Sequence, residues 1–174
     1  ILFYFLLSLI FCRAQKDSSF TLIKKIKGEI TAFAVDHLNN IYLLTATDQL
    51  KKLDDKGDSV AVFNNVRNFG KVSFLDVSNP LRVLLYYKDF STVVVLDRLL
   101  NMRSTIDLRQ QNIFQVQAVG LSYDNKLWVC DEQENKLKKI DEDGKILFET
   151  SDFRQLFNEA YTFTSITDQD GLLY

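Results

Sequence analysis

The residue types able to do chemistry are few and scattered. His37 is the single histidine, so neither a Ser-His-Asp triad nor a multi-histidine metal centre can be assembled around it. It follows Asp36 between two strand patterns and reads as a solvated turn residue. Cys130 lies in an apolar run beside Asp131, whose negative charge raises a thiol pKa, so it reads as a small core residue and not as a nucleophile. The acidic turn Asp141-Glu142-Asp143-Gly144 suggests calcium at first sight but lacks the twelve-residue ligand series and closing glutamate of an EF-hand. Turn chemistry accounts for it, as it does for Asp54-Asp55-Lys56-Gly57. The pairs Lys51-Lys52 and Lys138-Lys139 lie in strand patterns and send one side chain to each face, as solvated edges or inter-sheet pairs and not as a phosphate site.

These residues are positioned by a repeat. Asp54, Asp97 and Asp141 close the runs QLKKLD, TVVVLD and KLKKID and stand 43 and 44 residues apart. The strand patterns before them recur at residues 41–44 (IYLL), 83–86 (VLLY) and 127–130 (LWVC). Ahead of each lies another, at residues 32–36, 72–76 and 118–122, and after each a fourth, at residues 59–63, 103–108 and 145–149. The unit is four short antiparallel strands in about 43 residues, a period at which β-propeller blades repeat. A sandwich or single barrel would not require that fixed period. The expected fold is all-β, a propeller portion of about three and a half blades: residues 29–66, 67–112, 113–152 and an incomplete fourth at 158–174. Residues 151–160 break the strand pattern, with Phe153, Leu156 and Phe157 at spacings of three and four; a short helix capped by Ser151 or Asp152 and a long apolar loop both fit.

Composition excludes other classes. The net charge is -2, which carries no nucleic-acid footprint. One proline and six glycines are few for so many turns, so Asn and Asp must make them, and the 14 Phe and 7 Tyr favour a sheet-dominated core. Residues 1–12 (ILFYFLLSLIFC) are apolar apart from Ser8 but shorter than the roughly 20 residues a membrane span requires. They read as the core of a signal peptide whose charged start is missing, cleaved after Ala14. A lipid anchor on Cys12 is disfavoured by Phe11 before it. The mature chain would keep Cys130 alone, so no intramolecular disulfide is available.

The residues Asn125 to Asp131, then Asn135-Lys136-Leu137, then Ile140 to Lys145 make this chain resemble NHL-repeat and six-bladed TolB-like propellers over residues 29–174. The first repeat is similar through Val35-Asp36, Asn40-Ile41-Tyr42 and Leu53 to Gly57, with Thr45 where that pattern carries Asp. The middle repeat departs furthest, with Asn79-Pro80-Leu81-Arg82 at its first turn and Asn101 in place of Gly. The Ala14-Gln15 junction resembles that of Bacteroidota envelope proteins, which implies an exported protein, periplasmic, outer-membrane associated or secreted. The resemblance implies that residues 15–28 supply the outer strand that closes the ring, that the natural chain is longer, and that the ring has six or so blades. An open portion of the ring, with unpaired strand edges, would be unstable alone.

In that architecture the turns between second and third strands gather at one mouth of the ring with the links between blades. The binding residues expected there are Asp48, Tyr87, Lys88, Asp89, Asp131 and Glu132, and Tyr86 to Phe90 has the aromatic and charged composition of a recognition surface. Packing of Tyr86 and Phe90 between blades is the competing expectation. The function expected is non-enzymatic binding of a protein, peptide or glycan in the bacterial envelope, with no cofactor and no catalytic residue. The alternative is a lactonase- or lyase-like enzyme with an on-axis calcium or other divalent ion; a structural role in an envelope assembly comes third.

Overall fold

The computed structural model describes residues 22, 24–64, 66–159 and 161–174. The expected signal segment lies outside them, as does the first part of the expected ring-closing strand. Of the latter, residues 24–27 are not in a strand, and the Lys24 ammonium lies 2.6 Å from the Asp58 carboxylate.

The described residues form three four-stranded antiparallel sheets and one two-stranded hairpin. The first sheet runs β1 (Ile30–Val35), β2 (Ile41–Thr45), β3 (Leu50–Leu53) and β4 (Ser59–Phe63); a one-turn helix, α1 (Val66–Phe69), leads out of it. The second runs β5 (Phe74–Asn79), β6 (Arg82–Tyr87), β7 (Thr92–Asp97) and β8 (Met102–Asp107). The third runs β9 (Val116–Leu121), β10 (Leu127–Asp131), β11 (Lys136–Ile140) and β12 (Ile146–Glu149). Helix α2 (Phe153–Phe157) and the hairpin β13 (Asp168–Gln169) and β14 (Leu172–Leu173) follow. Spatial order equals chain order in every sheet, so each is a meander. Among the described residues no helix is long and apolar enough to cross a membrane.

Turn chemistry explains why the strands end where they do. Asp54 accepts the backbone N–H groups of Lys56 and Asp58, Asp97 those of Leu99 and Asn101, and Asp141 those of Asp143 and Lys145. One carboxylate thus supplies the acceptor for two turn amides at the same place in each sheet. Helix α2 resolves the open choice over residues 151–160: the Asp152 carboxylate accepts the Arg154 N–H at 2.9 Å and starts the helix. One strand differs from expectation. The first strand of the middle repeat lies at Phe74–Asn79 and not at residues 72–76, because Asp76 pairs with Leu84 inside the sheet and the turn forms at Pro80-Leu81 instead. Aligning Asp76 with Asp36 by residue type put that strand two residues early.

The sheets stack face to face. Tyr42, Leu44, Leu50 and Phe63 of the first sheet pack against Val83, Leu85, Val94 and Leu96 of the second. Leu84, Val93, Val95 and Ile106 on its other face meet Val119, Leu121, Val129 and Ile140 of the third. The second sheet is therefore covered twice, and within its central strands RVLLYY and TVVVLD the runs VLLYY and VVVL are apolar without alternation. Each fully buried side chain of this size contributes about 1.5–3 kcal/mol. Trp128 and Cys130 on the far face of the third sheet pack against Ile166, which leads into the hairpin.

Polar locks tie successive sheets. The Arg82 guanidinium donates to the Asn125 carbonyl at 2.8 Å and pairs with Glu142. Lys52 donates to the Arg98 carbonyl at 3.0 Å, and Asp76 accepts the Leu121 N–H at 2.8 Å. Close approach also fixes one glycine. A Cβ on Gly120 would sit 2.6 Å from the Ile166 carbonyl oxygen, part of a backbone that cannot rotate away. Gly120→Ala is expected to cost about 1–2 kcal/mol as an overpacking change, measured by urea unfolding; an unchanged midpoint would show that residues 163–168 are not held against β9.

Candidate functional site

The three turns between second and third strands, at residues 46–49, 88–91 and 132–135, share one end of the stacked sheets with the inter-sheet links at residues 66–73 and 108–115. Two of the expected binding residues leave the surface. Tyr87 is 2% exposed and packs on Phe69 of α1 with ring centroids 5.2 Å apart; burial and then the Asp48 charge hold its hydroxyl above the usual tyrosine range. Asp131 is 1% exposed. Its carboxylate accepts the Gln133 and Glu134 N–H groups and lies 2.7 Å from the Lys138 ammonium. Glu134 completes this group at 2.9 Å from Lys138. Burial alone would lower the Lys138 pKa, but the two carboxylates outweigh it and hold it above the ordinary lysine value. Tyr87 and Asp131 occupy the same place in their sheets, beneath the turn, and support the turn without presenting a side chain to a ligand.

Asp48 is half-buried in the β2–β3 turn, with φ 55°. Lys88 and Asp89 are exposed in a 3-10 turn spanning Lys88–Phe90, which Ser91 closes in the left-handed region. Phe90, next to them, is 44% exposed, whereas Tyr86 is buried between the second and third sheets. Burial pushes the Tyr86 hydroxyl up to about 12, so it is neutral and serves as an uncharged polar group.

Lys88 and Glu132 are brought to one place. They line a cleft of about 250 Å³ between the second and third sheets, together with Tyr86, Phe114, Gln115 and Val116. Asp89 and Asp48 are not part of its lining. The walls are held by backbone: Glu132 N–H donates to the Gln115 carbonyl at 2.8 Å, and Lys88 N–H donates to Ser73 Oγ at 3.2 Å. Phe114 sits between Ile113 and Val116, which are 0% and 3% exposed, yet is itself 52% exposed. A 3-10 turn over Leu108–Gln111, capped by Asp107 and ended by Asn112, sets Ile113 into the core and turns Phe114 outward. The sequence reading missed Phe114 and Gln115, because an apolar residue in a linker reads as core until its neighbours are known to fill the core. The signal was available in the order polar-Ile-Phe-Gln-Val, in which Ile113 and Val116 already supply the buried anchors.

The other chemical residues are accounted for structurally. Burial, and then the charges of Asp131 and Glu132, push the Cys130 thiol up to about 12, and His37 is exposed. Lys139 lies 4.9 Å from the Trp128 ring centre and 2.7 Å from Asp124. Among the described residues no group of three or more His, Cys, Asp or Glu stands close enough to hold a metal ion.

Four-stranded meanders stacked face to face, with their first strands adjoining, make this chain a β-propeller portion. Solved structures agree. It is similar to streptogramin B lyase at 20% identity and a TM-score of 0.58, covering 83% of this chain and 46% of that one. It is similar to BBS1N in complex with ARL6DN at 10% identity and a TM-score of 0.57, covering 82% and 44%, and to the WD40 β-propeller domain of Doa1 at 14% and 0.51, covering 84% and 45%. At these identities the likeness defines the fold alone, and this chain spans less than half the length of each. No family model and no curated protein sequence matches the chain.

Proposed function

We propose that the protein is an exported propeller of the NHL or TolB-like type whose mouth binds a protein, peptide or glycan in the bacterial envelope. The observation that carries this reading is the cleft between the second and third sheets, where an exposed aromatic, Phe114, stands between two opposite charges, Lys88 and Glu132. Neither charge has a side-chain partner among the described residues. An aromatic held in water by buried neighbours and flanked by free charges is the composition of a binding surface. A propeller that holds another protein, as BBS1N holds ARL6DN, supports the use of this scaffold for association. The compartment is read from the apolar run at residues 1–12 and the Ala14-Gln15 pair, taken as an export signal.

The test is capture from envelope extracts on the immobilised, signal-cleaved protein, with Phe114→Ser, Lys88→Glu and Glu132→Lys in parallel. Each variant is expected to reduce a specific capture about tenfold or more with an unchanged melting temperature, since all three side chains are exposed. Capture indifferent to all three would refute the mouth as the binding surface. Elemental analysis of the same preparation separates the rival reading: stoichiometric calcium or zinc would transfer the proposal to a lactonase- or lyase-like enzyme with a divalent ion on the ring axis.

A further inference from the structure

The cleft's volume of about 250 Å³ falls below the roughly 300–1,000 Å³ of small-molecule sites, so it has the size of a single anchoring residue from a partner chain. Its walls carry one positive and one negative group, Lys88 and Glu132, and Phe114 supplies an apolar face between them. An arginine or lysine anchor would gain Glu132 but meet Lys88, and an aspartate or glutamate anchor would gain Lys88 but meet Glu132; either sets one repulsion against its one attraction. A purely apolar anchor would strip water from both charges and return no hydrogen bond. An uncharged aromatic with a hydroxyl tip satisfies all three walls. Its ring could stack on Phe114 while its O–H donates to a carboxylate such as that of Glu132 and its oxygen accepts from an ammonium such as that of Lys88.

We infer that this cleft takes a tyrosine side chain displayed by a partner polypeptide. The inference rests on the reading of the mouth as a binding surface and adds the chemistry of what it binds. Backbone pairing of the walls, through Glu132 N–H to Gln115 and Lys88 N–H to Ser73, means the cleft exists before the partner arrives, which limits the ordering cost of association.

The experiment is selection of random twelve-residue peptides on the immobilised protein, with the Phe114→Ser variant as counter-selection and circular dichroism confirming that the variant stays folded. Peptides retained by the protein and lost on Phe114→Ser are expected to share a tyrosine. Replacing that tyrosine by phenylalanine is expected to weaken binding about tenfold. The tyrosine-over-phenylalanine preference is expected to disappear in the Lys88→Met, Glu132→Met double variant, which removes both the donor and the acceptor. Selected peptides that depend on Phe114 but share arginine, a carboxylate or no tyrosine would overturn the inference and leave the mouth reading standing. If no peptide distinguishes the protein from Phe114→Ser, both fall.

Discussion

Replacing Lys138 by methionine is expected to lower the unfolding free energy by about 3–5 kcal/mol. The Lys138 side chain is 3% exposed and its ammonium serves both Asp131, 1% exposed, and Glu134. Removing the cation leaves the Asp131 carboxylate in a place water cannot reach, with two turn N–H groups as its remaining partners. The neighbouring sheets show that this pair is one solution among several. By strand register, Tyr87 and Val94 of the second sheet, and Thr45 and Lys51 of the first, stand where Asp131 and Lys138 stand in the third. The double change Asp131→Leu, Lys138→Met is therefore expected to cost less than either single change, because no unpaired charge stays buried. Urea unfolding of the four proteins measures the coupling. A Lys138→Met loss below about 1 kcal/mol would mean that Asp131 is reached by solvent.

Asp168→Ala is expected to cost about 3 kcal/mol, since two side-chain hydrogen bonds to a charged acceptor vanish together, and with them the Gly171 N–H bond within the hairpin. The Asp168 carboxylate accepts Ser122 Oγ–H at 2.7 Å and Trp128 Nε1–H at 2.8 Å, from the opposite side of the interface between the third sheet and the β13–β14 hairpin. Trp128 is the single tryptophan, so its fluorescence reports on this bond directly. The emission of the variant is expected to shift to the red as the hairpin loosens. A pH dependence follows. Burial alone would raise the Asp168 pKa, but its hydrogen bonds to Trp128 and Ser122 outweigh this and hold it below the ordinary 3.8. A depressed folded-state value contributes stability that is fully present above 3.8 and is lost as the pH falls through the lower, folded value. The acid titration of Trp128 emission should therefore have a midpoint below 3.8 that is absent in Asp168→Ala. Identical titrations would show that another carboxylate governs the transition.

The repeat, the strand turns and the apolar strands are local properties, and they were legible from residue order. Asp54, Asp97 and Asp141 each bond amides two and four residues onward, so their effect is complete within one turn. The pattern at Asp152 and Phe153 left helix and loop open, because a helix of five residues is held by its cap and its packing as much as by its own propensity. The first strand of the middle repeat was displaced because Asp76 pairs with Leu84 within the sheet instead of ending the strand, and pairing resumes at Asn79 with Arg82.

The candidate site divides along the same line. Sequence by itself determined that the turns after β2, β6 and β10 would carry polar and charged side chains, and that Lys88 and Glu132 would be exposed among them, since these depend on local pattern and period. The structure alone decided that Tyr87 and Asp131 would be buried, that Phe114 would be exposed, and that Lys88 and Glu132 would share a cleft with it. Those outcomes depend on how one sheet stacks on the next. A side chain beneath a turn is covered or left open by whichever segment the next link or sheet lays over it, as Phe69 lies over Tyr87, and residue order carries no record of that placement.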